Sequence, residues 1–157
     1  MPTKILHDID DSTPRQLLKR AYVSMNCGYF EEAIEACVVA AERADDPLVA
    51  DTLRGAILTA SGRPTEALQL LMPLHRQRED AILTALYLAE ACFFAGRIRR
   101  GWKVLDGIDP EELDDSPWRD FADQLRRSWE QRSDDDQLVQ PLRIPIGAPS
   151  PQANHEQ

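Results

Sequence analysis

Ser61-Gly62-Arg63-Pro64-Thr65-Glu66-Ala67 is a stretch that stops one helix and opens another. Glycine tolerates the positive φ with which a helix ends and the chain turns. The same pattern stands 34 residues earlier in Cys27-Gly28-Tyr29-Phe30-Glu31-Glu32-Ala33, and 34 residues later in Ala95-Gly96-Arg97-Ile98-Arg99-Arg100-Gly101. The period extends outward from the glycines. A small residue follows each by five positions (Ala33, Ala67, Gly101), and another precedes each by seven (Ala21, Gly55, Ala89). Small residues on facing helices let two backbones approach closely. Three classes of position therefore share one period, over three repeats.

A 34-residue unit of helix, tight turn and helix resembles the tetratricopeptide repeat. One such hairpin cannot bury its apolar face alone, so successive hairpins stack. The pattern predicts an all-α fold of three tetratricopeptide-type hairpins over 14–45, 47–79 and 81–109. Thr13-Pro14-Arg15-Gln16 supplies a capping threonine, a proline at the first helical position and a glutamine at the third. Asp46-Pro47 opens the second pair in the same way, and Asp80 is placed to cap the third. Pro73 falls inside a helix and is expected to kink or shorten it. The usual first-helix tryptophan of the family is replaced by Leu17, Asp51 and Ala85.

Beyond the acidic link 109–115, Ser116-Pro117 opens a last helix over 117–132. Its apolar residues Trp118, Phe121, Ala122, Leu125 and Trp129 recur at spacings of three and four. Such a helix can cap the apolar end of the third hairpin. The domain reading is a flexible N-terminus at 1–13, a helical repeat domain at 14–132 and a disordered tail at 133–157. That tail follows Asp134-Asp135-Asp136 and carries Pro141, Pro145, Pro149 and Pro151.

Apolar residues make up 43% of the 157, enough for a packed core, and the net charge is −9. Phosphate binding rests on lysine and arginine, so an acidic chain argues against nucleic acid and against anionic membrane surfaces. The three cysteines, Cys27, Cys37 and Cys92, have no Cys-x-x-Cys spacing and read as reduced thiols. With no signal peptide and no membrane span, a cytoplasmic location is expected.

No catalytic motif stands in the sequence. His7, His75 and His155 are scattered, and no His or Cys pair has metal-ligand spacing. The reading is therefore a protein that is not an enzyme and needs no metal or cofactor. Glu31-Glu32 and Glu111-Glu112 are carboxylates at helix starts, where they complement the helix dipole. Arg97, Arg99, Arg100 and Lys103 form a basic cluster, read as a solvated face paired with the acidic link at 111–115.

In tetratricopeptide arrays the first helix of each pair lines a groove. Five positions of each first helix face inward in that register. The first repeat offers Arg15, Leu18, Tyr22, Met25 and Asn26, and the second Val49, Thr52, Ala56, Thr59 and Ala60. The third offers Leu83, Leu86, Glu90, Phe93 and Phe94. The predicted partner groove is Leu18, Tyr22, Met25, Val49, Ala56, Ala60, Leu83, Leu86, Phe93 and Phe94. Small residues at its middle and large apolar ones at its ends suit an amphipathic helix of another protein.

Three further stretches carry a narrower resemblance. They are Gly62-Arg63-Pro64-Thr65-Glu66-Ala67-Leu68-Gln69-Leu70-Leu71, Leu88-Ala89-Glu90-Ala91-Cys92-Phe93-Phe94-Ala95-Gly96, and Asp115-Ser116-Pro117-Trp118-Arg119-Asp120-Phe121-Ala122-Asp123-Gln124-Leu125. In order and character they are similar to the small acidic tetratricopeptide-like accessory proteins of bacterial type III secretion. These include needle-subunit chaperones and related plant-pathogen secretion proteins, so the resemblance associates the chain with virulence. The resemblance implies a cytoplasmic chaperone for protein transport, which shields an apolar helix of a secretion subunit before export. The alternative is an adaptor or scaffold that links other proteins within a homo- or hetero-oligomeric complex.

Overall fold

The computed structural model describes residues 11–132, and these form eight helices and no strand. Six of the helices make three hairpins. The first is α1 (Pro14–Asn26) with α2 (Phe30–Arg43), and the second is α3 (Leu48–Ala60) with α4 (Pro64–Gln77). The third is α5 (Ile82–Phe94) with α6 (Ile98–Asp106). A single turn, α7 (Pro110–Asp114), and a last helix, α8 (Arg119–Glu130), complete the described chain. The expectations for residues 1–10 and 133–157 lie outside it.

The three hairpin turns are copies of one another. Gly28, Gly62 and Gly96 have φ of +84°, +85° and +82°. Each glycine N–H donates to the carbonyl three residues back, and the next N–H donates to the carbonyl five back. In the first turn these bonds are Gly28 to Met25, 3.0 Å, and Tyr29 to Ser24, 2.8 Å. Gly62 and Arg63 repeat them onto Thr59 and Leu58, as do Gly96 and Arg97 onto Phe93 and Cys92. This is the Schellman arrangement, which satisfies the last helical carbonyls and needs a left-handed residue. The 34-residue period is thus a backbone requirement repeated three times.

The small positions hold the helices together. Ala21, Ala33, Ala67 and Ala89 are fully buried. A Cβ on Gly55 would stand 2.5 Å from Leu71 Cγ, and one on Gly101 would stand 2.6 Å from the Phe93 ring. Both neighbours are themselves fully buried. We expect Gly101→Ala to destabilise the fold by about 1–3 kcal/mol through overpacking, despite the roughly 1 kcal/mol that alanine gains in a helix interior. Urea denaturation checks this, and a variant as stable as the parent would refute the close approach. Gly62→Ala meets nothing within 4 Å and suffers only from its positive φ.

Thr13 caps α1 as its sequence suggests. Its Oγ1 accepts from the Gln16 N–H at 3.2 Å, and its own N–H donates to Gln16 Oε1 at 2.9 Å. Asp46 Oδ1 accepts from the Leu48 N–H at 3.0 Å, but the capping residue of α3 is Pro47, so Asp46-Pro47 stands one position earlier than Thr13-Pro14 does. Two further expectations are corrected. Asp80 does not cap α5, because the capping residue is Ala81 and no side chain bonds there. Pro73 does not shorten α4, which runs on to Gln77 with Pro73 exposed. The acidic link also forms α7, capped by Asp109 Oδ1 on the Glu111 N–H at 2.9 Å.

Helix α5 is the centre of the molecule. It packs against α3, α4, α6 and α8, and nine of its thirteen residues are buried. A helix enclosed on all sides carries apolar residues all round, which is what Ile82–Phe94 contains. Helix α8 lays Ala122, Leu125 and Trp129 on it, around Leu86, Ala89 and Phe93. Trp129 stacks on Phe93 with ring centroids 4.9 Å apart, and Phe94 meets it edge-on at 5.5 Å. Polar links also join successive hairpins. Thr52 and Thr84 hydroxyls share a buried hydrogen bond of 2.8 Å between α3 and α5. Arg63 bridges Glu66 and Glu31, and Arg78 bonds Asp46 at 2.9 Å. These arginine pairs are exposed, so they contribute little energy each.

Candidate functional site

The first helices of all three hairpins converge on one cavity of about 270 Å³. From α1 come Tyr22, Met25 and Asn26, and from α3 come Ala56, Thr59 and Ala60. Helix α5 supplies Tyr87 and Glu90, and the start of α8 supplies Trp118 and Phe121. The period explains the convergence. Residues 22, 56 and 90 occupy one register position, as do 25 with 59 and 26 with 60. Ala56 and Ala60 keep the middle open, as small side chains must if a cavity is to exist there.

Four of the ten predicted groove residues line this cavity: Tyr22, Met25, Ala56 and Ala60. The others go elsewhere. Leu86 and Phe93 are fully buried under α8 and belong to the core, a correction with a simple cause: the capping helix covers the inward face of the third hairpin. Phe94 packs edge-on against Trp129, and Leu18 packs on the buried clusters around Ala21 and Leu17. Val49 is 58% exposed but lies outside the cavity, as does the part-buried Leu83.

Tyr87, Trp118 and Phe121 were not among the predicted site residues. Tyr87 stands one position beyond Leu86 in the inward register, and its ring contacts Phe121 at 5.2 Å. Trp118 and Phe121 read from sequence as capping residues only. Their place at the cavity follows from where α8 sits, which no local pattern encodes.

Glu90 is the cavity's ionisable acid. It is 3% exposed, and its Oε2 has no hydrogen-bond partner among the described residues. Burial pushes its carboxyl up to about 8, so the folded protein holds it largely neutral at pH 7. Tyr87 beside it is raised to about 12 by burial and by the Glu90 charge. Among the described residues, no lysine, arginine or histidine lines the cavity. At the mouth, Tyr22 is 53% exposed and Trp118 37%.

The basic cluster lies on another face. Arg100 and Lys103 line a shallow concavity of about 400 Å³ with Met72, His75, Arg76, Glu79 and Leu88. The expected pairing with the acidic link does not form. Asp114 of that link faces Arg119 at 3.8 Å instead, and Arg97, Arg99, Arg100 and Lys103 take part in none of the ion pairs among the described residues. Cys37 and Cys92 are fully buried, and burial pushes their thiols to about 12 and about 11. They are packing groups at neutral pH. Among the described residues, no group of three or more His, Cys, Asp or Glu is arranged to hold a metal ion. No helix there is long and apolar enough to cross a membrane. Comparison of the chain with protein-family models, with curated proteins and with solved structures finds no match.

Proposed function

We propose that the protein is a tetratricopeptide-type binding module whose cavity receives a helical segment of another polypeptide. The observation that carries this reading is the convergence of one helix from every hairpin on a single opening, with exposed aromatic rings at its mouth. Large half-exposed side chains beside a cavity supply the apolar area a partner buries, and a few such anchors carry most of the energy of binding. The acidic surface keeps such a complex soluble. The resemblance to type III secretion accessory proteins supports a chaperone that hides an apolar helix until export, and the buried Leu86 and Phe93 shorten the groove that helix would enter.

Photo-crosslinking residues placed one at a time at Tyr22, Trp118 and Gln69 test this in the native host. We expect one and the same small helical protein at Tyr22 and Trp118, and nothing at Gln69, which is exposed on α4. With the purified pair, Tyr22→Ala or Trp118→Ala should weaken binding by about 1–2 kcal/mol, because each ring is already partly hydrated when free. Capture at Gln69 alone, or variants that bind like the parent, would move the partner off this cavity. A partner that aggregates without the protein makes it a chaperone, and one that folds alone makes it an adaptor.

A further inference from the structure

Glu90 sits against the aromatic residues of the cavity, with no counter-charge among the described residues that line it. An unpartnered carboxyl sealed in a core only costs free energy. Glu90 instead lines a cavity whose walls include the exposed rings of Tyr22 and Trp118, so a donor held in that cavity lies beside it. The surrounding walls are aromatic: Tyr22, Tyr87, Trp118 and Phe121. Aromatic faces attract cations, most strongly where water is excluded. An anion buried behind aromatic rings is a complementary receptor for an organic cation that has an apolar stem and a charged head.

We propose that the cavity binds a cationic side chain, the ammonium of a lysine or the guanidinium of an arginine, carried by the partner's bound segment, with Glu90 as its counter-charge. This deepens the proposed function and rests on it for the polypeptide that carries the cation. The stem of such a side chain lies along Met25, Ala56 and Ala60, and the head meets the carboxylate.

Charge balance then couples binding to pH. The free site holds Glu90 protonated up to about pH 8. The bound cation requires the carboxylate, so binding releases a proton to solvent. Affinity therefore rises as pH rises toward 8, by up to tenfold per unit, and levels off above it. The other ionisable groups facing Glu90 are phenols, Tyr22 from α1 and Tyr87 from α5. Helix α3 and the start of α8 present none.

The probe is n-butylammonium chloride, with ethylguanidinium as a second cation and n-butanol as the neutral control, at constant ionic strength. Titrations of ¹⁵N-labelled protein are followed by NMR at pH 6, 7 and 8. We expect amide shifts confined to residues 22–26, 56–60, 87–90 and 118–121, for the cations far more than for butanol. The affinity should increase by at least tenfold from pH 6 to pH 8. Glu90→Gln keeps the size of the neutral acid and should lose at least tenfold in affinity, together with the pH dependence. Equal binding of butanol, a flat pH profile of the unaltered protein, or a Glu90→Gln variant that binds as the parent does would each overturn the proposal. The pH series needs no variant, so it stands even if the substitution impairs folding. These titrations also need no partner. Cation binding with crosslinks elsewhere refutes the proposed function alone, whereas a partner at Tyr22 with no cation binding refutes this inference alone.

Discussion

Phe93→Ala is expected to lower the folding free energy by about 3–5 kcal/mol, the range for deleting a large core aromatic. Phe93 is fully buried and touches two other helices at once. Its ring stacks on Trp129 of α8 at 4.9 Å and meets Trp102 of α6 edge-on at 5.2 Å. It also fills the space that the absent side chain of Gly101 leaves open. These neighbours cannot close a ring-sized hole, because the helices carrying them are held apart by their other contacts. Urea denaturation followed by helical dichroism measures the loss. A loss below about 1 kcal/mol would place Phe93 outside the core and return it to the groove.

That distinction marks the limit of what could be read from sequence. Gly28, Gly62 and Gly96 were legible because positive φ is a local demand that one residue type meets. Ala33, Ala67 and Gly101 were legible because a close helix crossing excludes bulk at a fixed offset from each turn. The groove was legible only where nothing covers it. Tyr22, Met25, Ala56 and Ala60 line the cavity, as the inward register predicts. Leu86 and Phe93 occupy the same register in the third hairpin, yet α8 lies on them. The sequence pattern predicts both the cap and the groove, and the two compete for one surface. Only the packing decides how far the cap extends. The same fact placed Trp118 and Phe121 at the cavity, where their helical spacing alone suggested a capping role. Asp80 shows the opposite case, a residue of the right type one position too early for the cap.

Glu90 gives the second large expectation, a fold that weakens as the solution becomes more alkaline. In the folded protein burial holds its carboxyl up to about 8, whereas the ordinary value is 4.5. Between those values the native state keeps a proton that the unfolded chain releases. Stability is therefore fully present below about pH 4.5 and is lost as pH rises toward 8. The slope approaches about 1.4 kcal/mol per pH unit, a few kcal/mol in all. Other carboxylates act in the opposite sense and lower on the scale. The hydrogen bond from Arg78 depresses Asp46, and that from Arg63 depresses Glu66. Their contributions are present above the ordinary carboxylate range and disappear in acid. The two trends oppose one another, the exposed pairs weakening in acid and the Glu90 contribution weakening as pH rises. Glu90→Gln isolates the buried term, since glutamine resembles the neutral acid and does not titrate. Urea denaturation at pH 5, 6.5 and 8 should show parent and variant alike at pH 5, and the variant more stable at pH 8 by on the order of 3 kcal/mol. If the two curves stay parallel from pH 5 to pH 8, Glu90 is ionised throughout, and the cavity already supplies the counter-charge that a bound cation is proposed to bring.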